Sequence, residues 1–486
     1  MTGQPINDGG MFYVMIQDLV SNKFLLPAFT SYNHINIPFA YPPLSFYAGG
    51  VLYLLGIPII QTLRWIPPLV STFSIPAFYW MASLMMDSKT KASLATMVYA
   101  LVPRSFSWYV MGGGLSRSFG ILFLILTCAA AWDLFNKKTL KYILLTIVFG
   151  AGTILSHPET GLHAAASCAL IWLFRGRNRR GVRESLIVVM GIVIMTSPWW
   201  ATVLVQHGLT PFLSALKTGG NGSLSILFRQ GINLTEDPIL PLSIIIGIMG
   251  LVMQAASGKW FLPIWFLLPF LVDWRSATAI SILPVSILAG LGITEVIIPF
   301  LLKQRLKDYR GDWTSFISKN RLLQGVLGFY LFYAFISSFI YDYSLGNYVI
   351  PEKSLEAMKW IKINTQTTSR FIVLRGRTDP FSDPTTEWFP ALTDRNSQNT
   401  IQGKEWLPGF ISFLGSLADL RSCLRENGLC VTRWAENNNS GFDYIYLEKQ
   451  KSGTRFLSPP LLDQLRQDDG FSDVFENDST AIFVRK

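Results

Sequence analysis

Charge is what this sequence has least of. Only 15% of its 486 residues are Asp, Glu, Lys or Arg, where soluble domains carry roughly a quarter. That excludes a soluble globular protein as the description of most of the chain. Cysteine is scarce too: four residues are too few for a disulfide scaffold. Cys128 and Cys168 lie inside apolar segments and read as packing residues. No Walker motif is present, which excludes ATP-driven transport by this chain alone. Internal repeats, low-complexity tracts and a cleavable signal peptide at Met1 are absent as well.

What the chain has is apolar length. Hydrophobic residues make up 50%, tryptophan is abundant at 15, and the mean hydropathy is +0.34. Tracts of roughly 20 apolar residues read as spanning helices. They fall at 65–86, 92–110, 118–135, 142–156, 159–174, 185–205, 238–256, 260–273, 277–301 and 322–341. The tract 44–63 is interrupted by Gly49-Gly50, Gly56 and Pro58, and reads as a helix in the membrane interface. The net charge of +10 comes from short basic runs at 87–91, 136–141, 175–184 and 303–321, with Lys259. Runs between apolar segments mark cytoplasmic loops rather than a nucleic-acid footprint, so no nucleic-acid partner is expected. The opposite face then carries residues 1–64, the 104–117 loop, the 156–159 turn, 206–237, the 273–275 turn and everything after 342.

From about 345 the composition becomes that of a soluble domain. A helix is expected near 351–363, another near 412–427 closing at Gly428, and strands at 370–374, 442–448 and 481–485. The fold class expected is mainly α, a polytopic helical membrane region (1–344) with a small extracytoplasmic α/β domain (345–486). On an oxidising face, Cys423 and Cys430 are expected to pair as a local disulfide.

The polar groups on the outer face are the candidate site, since ionisable groups at the ends of membrane helices are functional candidates by default. Asn7-Asp8-Gly9-Gly10 is turn chemistry that holds a carboxylate at the membrane surface. Gly112-Gly113-Gly114 before Arg117 offers backbone N–H groups and a guanidinium to an anion, against the plainer reading of a flexible loop with an interfacial Arg. His157-Pro158-Glu159 sets an imidazole beside a carboxylate, with proton transfer, metal ligation and helix capping all open. Arg275 lies in a short turn close to the bilayer surface, where it suits a lipid phosphate. Pro198-Trp199-Trp200 reads as an interfacial aromatic belt.

Taken in order, Asp8-Gly9-Gly10, Tyr41-Pro42-Pro43-Leu44, the glycine loop ending at Arg117 and His157-Pro158 resemble the GT-C superfamily of polytopic glycosyltransferases. The resemblance extends over most of the chain, including 387–392 and 402–409. It implies an enzyme that moves a sugar from a polyprenyl-phosphate donor to a lipid, glycan or protein acceptor, in a bacterial inner or plasma membrane. Asp8 would be general base or metal-supporting carboxylate, with His157 and Glu159 as further catalytic candidates. Arg117 and Arg275, with Lys23, would bind the lipid phosphate, and Glu387 and Trp388 would serve the acceptor side. No cofactor is required, and a divalent metal stays open. The departures are Gly9 where many members have Glu, no acid in the second outer loop to pair with Asp8, and a start inside the first loop. A preceding helix is therefore expected upstream, or the N-terminus is exported. The alternatives are a lipid-glycan transporter or flippase, or a GT-C-like scaffold without catalysis.

Overall fold

A computed structural model describes residues 3–86, 88–137, 139–218, 234–302, 320–346, 348–375, 379–452, 455–457 and 459–486. Of the segments read from the sequence, the 303–319 basic run and residues 219–233 of the long outer loop lie outside the described residues.

The chain opens with a helix where a loop was expected. Helix α1 (Gly9–Ser21) buries Met11, Phe12, Met15, Ile16 and Leu19, the one-face spacing of an amphipathic helix. A two-stranded ribbon follows, β1 (Phe29–Thr30) with β2 (Ile37–Pro38), and then α2 (Leu44–Leu54). Gly49-Gly50 does not interrupt α2. Its two glycines let the helix close onto Ile16, Val20 and Phe24 of the α1 region. The break comes at Gly56, whose φ of +89° favours glycine.

The bundle proper consists of α3 (Ile59–Met86), α4 (Lys89–Leu101), α5 (Gly114–Lys137), α6 (Leu140–Ser156), α7 (Pro158–Arg175) and α8 (Arg179–His207), then the short α9 (Thr210–Lys217). It is completed by α10 (Leu242–Ala256), α11 (Phe261–Val272), α12 (Ala277–Gly292, continuing through a π turn to Leu302) and α13 (Arg321–Gly346). Five of the described helices are long and apolar enough to cross a membrane, or six if one bent pair counts as a span. Ten separate spans is thus too many. The tract at 92–110 stops being helical at Leu101, because Pro103 drives Val102 into an extended conformation. The tracts at 238–256 and 260–273 form the bent pair, α10 and α11, turned by 120°. Gly258, at φ +70°, closes α10 with the Lys259 N–H on the Gln254 carbonyl. Twelve residues of α11 rise only about 18 Å, well short of a hydrocarbon core of about 30 Å.

After α13 come α14 (Glu352–Asn364), β3 (Arg370–Leu374), α15 (Pro384–Thr393), β4 (Asn396–Ser397), α16 (Phe410–Ser422) and α17 (Gly428–Asn437). Next are β5 (Tyr444–Glu448), the hairpin β6 (Gln450–Ser452) with β7 (Arg455–Leu457), α18 (Pro460–Gln467), β8 (Phe471–Glu476) and β9 (Thr480–Arg485). The five-stranded sheet runs β4-β3-β5-β9-β8, with β4, β3 and β5 parallel and the rest antiparallel. Gly428 does not stop a helix as expected. It begins α17, where the Asn427 side chain caps the Cys430 N–H. Cys423 and Cys430 are joined in a disulfide with Cα atoms 5.5 Å apart.

Composition changes at 345, but packing does not. One apolar core contains Met11, Phe12 and Ile16 of α1, Tyr41 and Phe46, and also Met358, Phe371, Trp388 and Tyr446. Trp199, read as part of an aromatic belt, is buried in this same core with its indole N–H on the Ala40 carbonyl. The sheet domain is therefore docked on α1 and α2.

Candidate active site

The N-terminal loop is gripped from two sides by backbone. On one side the Gly112 N–H donates to the Ile6 carbonyl at 2.7 Å, and the Gly113 N–H donates to the Asn7 carbonyl. A Cβ at Gly113 would fall onto that Asn7 oxygen, and one at Gly112 would strike the Gly9 backbone. The three glycines serve close backbone approach, and the Gly112 and Gly113 N–H groups are consumed by it. The anion-cradle reading of this loop is thus corrected.

On the other side stands α15. Glu387 is fully buried, and its carboxyl accepts the Asn7 N–H at 2.6 Å and the Gly10 N–H at 3.1 Å. These N–H groups belong to the first turn of α1 and the residue before it, which a helix leaves unpaired. Trp388 donates its indole N–H to the Pro5 carbonyl at 2.9 Å, and Tyr32 donates its hydroxyl to the Glu387 carbonyl. Burial, then the charge of Asp8, pushes the Glu387 carboxyl well above the usual range, and the N–H bonds oppose this. Glu387 and Trp388, expected on the acceptor side, present no open surface here. They cap and clamp the loop.

With the cap position taken by Glu387, Asp8 is released from it. Asn7 and Asp8 both have left-handed backbone, φ +67° and +75°, and the Asp8 side chain caps nothing. Non-glycine residues in this region are uncommon, though Asn and Asp tolerate it best, and such strain clusters at functional sites. The Asp8 carboxylate turns to Arg117, 3.0 Å away, and the same Nη2 reaches the Asn7 side-chain oxygen at 3.0 Å. Arg117 lies near the start of α5 and stacks towards Trp108. Its other nitrogen, Nη1, is buried without a hydrogen-bond partner among the described residues.

Three more groups converge on this pair. His157 precedes α7 as its N-cap residue, yet its ring makes no capping bond. The Nδ1 atom is buried and unpartnered among the described residues. Burial, then the charges of Arg117 and Arg275, drive the imidazole well below its usual pKa, so it is neutral at pH 7. Tyr41 lies between His157 (6.3 Å between ring centroids) and Trp406 (5.6 Å), and burial pushes its hydroxyl above the ordinary value. Arg275 pairs with Glu159 at 3.4 Å and donates to Thr218 at 3.1 Å. Glu159 and Arg275 still reach solvent, at 29% and 43% exposed, although protein packs around both. That combination describes side chains on the floor of a depression. The charge of Asp8 acts on Tyr41, Glu159, Arg275 and Glu405, which places all of them around one space.

Lys23 is not among them. It is exposed at the far end of α1, about 20 Å of helix from Asp8. Asp18, also remote, accepts from Ser31 and Thr30 and stabilises the turn after β1. Sequence reasoning missed Glu405 and Tyr41 as site residues. Both lie within motifs that carry the family resemblance, but a lone acid in a glycine-flanked turn gives no chemical signal of its own. As for a divalent metal, no group of three His, Cys, Asp or Glu side chains able to hold one occurs among the described residues. Asp8 is engaged by Arg117 instead, so no step below runs through a metal.

The architecture so described is a GT-C-like fold: a bundle of apolar helices whose one end carries the polar cluster and the sheet domain. Among solved structures, the chain is similar to ArnT from Cupriavidus metallidurans bound to undecaprenyl phosphate, with a TM-score of 0.59 and 12% identity over 99% of this chain and 94% of that one. The apo state of the same protein gives 0.57 at 12% identity with the same coverage. The mycobacterial arabinofuranosyltransferase AftD gives 0.52 at 14% identity, covering 100% of this chain and 40% of that one. At such identities the likeness is one of fold. No family model matches the sequence, and no curated protein does.

Proposed function

We propose that this protein is a membrane glycosyltransferase that moves a sugar from a polyprenyl-phosphate donor to a hydroxyl-bearing acceptor on the extracytoplasmic face of a bacterial inner membrane. The fold supports the class, and the solved relative bound to undecaprenyl phosphate supports the donor chemistry. The observation that carries the reading is Arg117. One of its nitrogens orients Asp8, and the other is a buried donor with no partner among the described residues, suited to a phosphate oxygen.

The chemistry follows from this geometry. The donor phosphate rests on Arg117 Nη1 and on Arg275, whose reach is set by Glu159 and Thr218. The acceptor oxygen bonds to the anomeric carbon as the bond from that carbon to the phosphate oxygen breaks. The electron pair leaves on the phosphate, where the two guanidiniums stabilise the developing charge. The hydroxyl proton passes to Asp8. A neutral His157 adds no positive charge to compete with the arginines and offers Nδ1 as an acceptor. The basic ends of α5 and α7, held together by Arg175 on Asn136, lie at the opposite end of the bundle and mark the cytoplasmic side. A transporter would hold ionisable groups in mid-bundle, whereas this cluster sits at helix ends.

The test is direct. Purified protein in nanodiscs should bind undecaprenyl phosphate, and Arg117→Ala and Arg275→Ala should each weaken that binding. With a polyprenyl-phosphate sugar, the wild type should label an envelope lipid, glycan or protein fraction. Neither binding nor transfer across a panel of such donors would refute the proposal.

A further inference from the structure

We infer that Glu405, brought in by the C-terminal part of the chain, is the second carboxylate of the reaction centre and shares with Asp8 the proton released by the acceptor hydroxyl. This rests on the glycosyl-transfer reading above and adds to it a catalytic group from the other side of the site.

Glu405 stands on a single 3-10 turn, Lys404–Trp406, between β4 and α16. Three features hold that turn against the site. Gly403 has φ +84°, and a Cβ there would come within 2.6 Å of Ile37 Cδ1, so only glycine lets the turn close onto β2. Trp406 meets Tyr41 edge-on at 5.6 Å, the same ring that faces His157. The turn also packs on α9, and Thr218, the next residue after α9, holds Arg275 at 3.1 Å. The charged and titratable groups around Glu405 are Asp8 before α1, Arg275 before α12 and Tyr32 beyond β1. β2 contributes none, and Lys217 of α9 is exposed. Lys404 is turned aside, with Nζ on the Gln398 carbonyl at 2.8 Å and 3.4 Å above the Phe413 ring.

The two acids differ in what surrounds them. Asp8 has Arg117 at 3.0 Å, which favours its charged form and weakens it as a proton acceptor. Glu405 makes no ion pair among the described residues. Burial, then the charge of Asp8, pushes its carboxyl up to about 7. Two carboxylates facing one space repel when both are ionised, so the pair titrates as a unit and takes up one proton readily. As the acceptor oxygen bonds to the anomeric carbon and the phosphate departs with its electron pair, the hydroxyl proton enters this pair. Water removes it after product leaves.

The experiment uses the full chain in nanodiscs, with Glu405→Gln, Glu405→Asp, Asp8→Asn and the double variant Asp8→Asn/Glu405→Gln. Transfer from a polyprenyl-phosphate sugar is followed against pH, alongside binding of undecaprenyl phosphate. Wild-type transfer should rise with pH through an inflection near 7. Glu405→Gln should lose roughly 10²–10⁴ in rate together with that inflection, while still binding undecaprenyl phosphate. Glu405→Asp should recover part of the rate, and the double variant should be little worse than the worse single one. A Glu405→Gln protein with wild-type rate and inflection would overturn the inference. So would a rate loss that vanishes once corrected for the folded fraction. A wild type that neither binds the lipid phosphate nor transfers sugar would instead sink the functional reading, and this proposal with it.

Discussion

Replacing Glu387 tests whether the reaction centre is assembled from two distant parts of the chain. Its carboxyl accepts the N–H groups of Asn7 and Gly10, bonds that span 380 and 377 residues of sequence. Glu387→Ala removes both acceptors and leaves two backbone donors buried. Each such orphan costs about 1–3 kcal/mol, so the loss is about 2–6 kcal/mol before the vacated volume is counted. Glu387→Gln keeps one carbonyl oxygen and should lose about half as much. The damage should be local, because α1 begins at these residues. Hydrogen exchange at residues 9–12 should accelerate in both variants, more in the alanine one, while the bundle core around Leu124 and Leu283 keeps its protection. Transfer activity should fall as Asp8 loses its aim towards Arg117, and binding of undecaprenyl phosphate should fall less. If Glu387 instead serves the acceptor, exchange at α1 stays as in the wild type and only the acceptor KM rises. That outcome would refute the capping argument.

Four further expectations follow from the same geometry. Asp8→Asn should abolish most transfer while the protein folds and binds donor lipid, and Asp18→Asn, whose partners are Thr30 and Ser31, should leave the chemistry intact and lower only stability; equal activity losses measured side by side would contradict this. Gly113→Ala should block the loop from seating, because its Cβ would fall on the Asn7 carbonyl, and a fully active, normally melting variant would show that the strip yields. Glu405 has a raised folded-state pKa, so its contribution to stability is full below the unfolded carboxyl pKa of about 4.3 and is lost as pH rises through about 7; wild-type melting temperature should therefore fall between pH 5 and 8 more than that of Glu405→Gln. Thiol counting on denatured, unreduced protein should find two titratable groups, Cys128 and Cys168, and four would exclude the Cys423–Cys430 bridge.

The bundle was legible because hydropathy is a local signal. Every apolar tract is helical somewhere along its length, and the strand at Arg370–Leu374 begins and ends where alternation and composition put it. Errors arose where a neighbour decided the outcome. Gly9-Gly10 and Gly112-Gly113-Gly114 look like free turns in one dimension. In three dimensions they are the only residues slim enough for two backbones to touch. Helix α1 was hidden because its first turn is satisfied by a carboxylate far away in sequence rather than by a residue of its own. Lys23 and Asp8 share a loop on paper, yet the length of α1 separates them. Arg117 and His157 could be found because an ionisable group at a helix junction is conspicuous. Glu405 could not, since its partners come from three other parts of the chain.

The two-sided grip on the N-terminal loop also sets a schedule. Asp8 is among the first residues made and Glu387 among the last hundred, so the nascent chain carries its reaction carboxylate through nearly the whole of synthesis without the cap that orients it. Until residues near 387 arrive on the same side of the membrane and dock, α1 has an uncapped first turn and Asp8 has no reason to face Arg117. The bundle can be inserted and folded while the protein is still inert. Activity therefore switches on as a late docking event, and any truncation that removes α15 should yield a stable membrane bundle with a latent site.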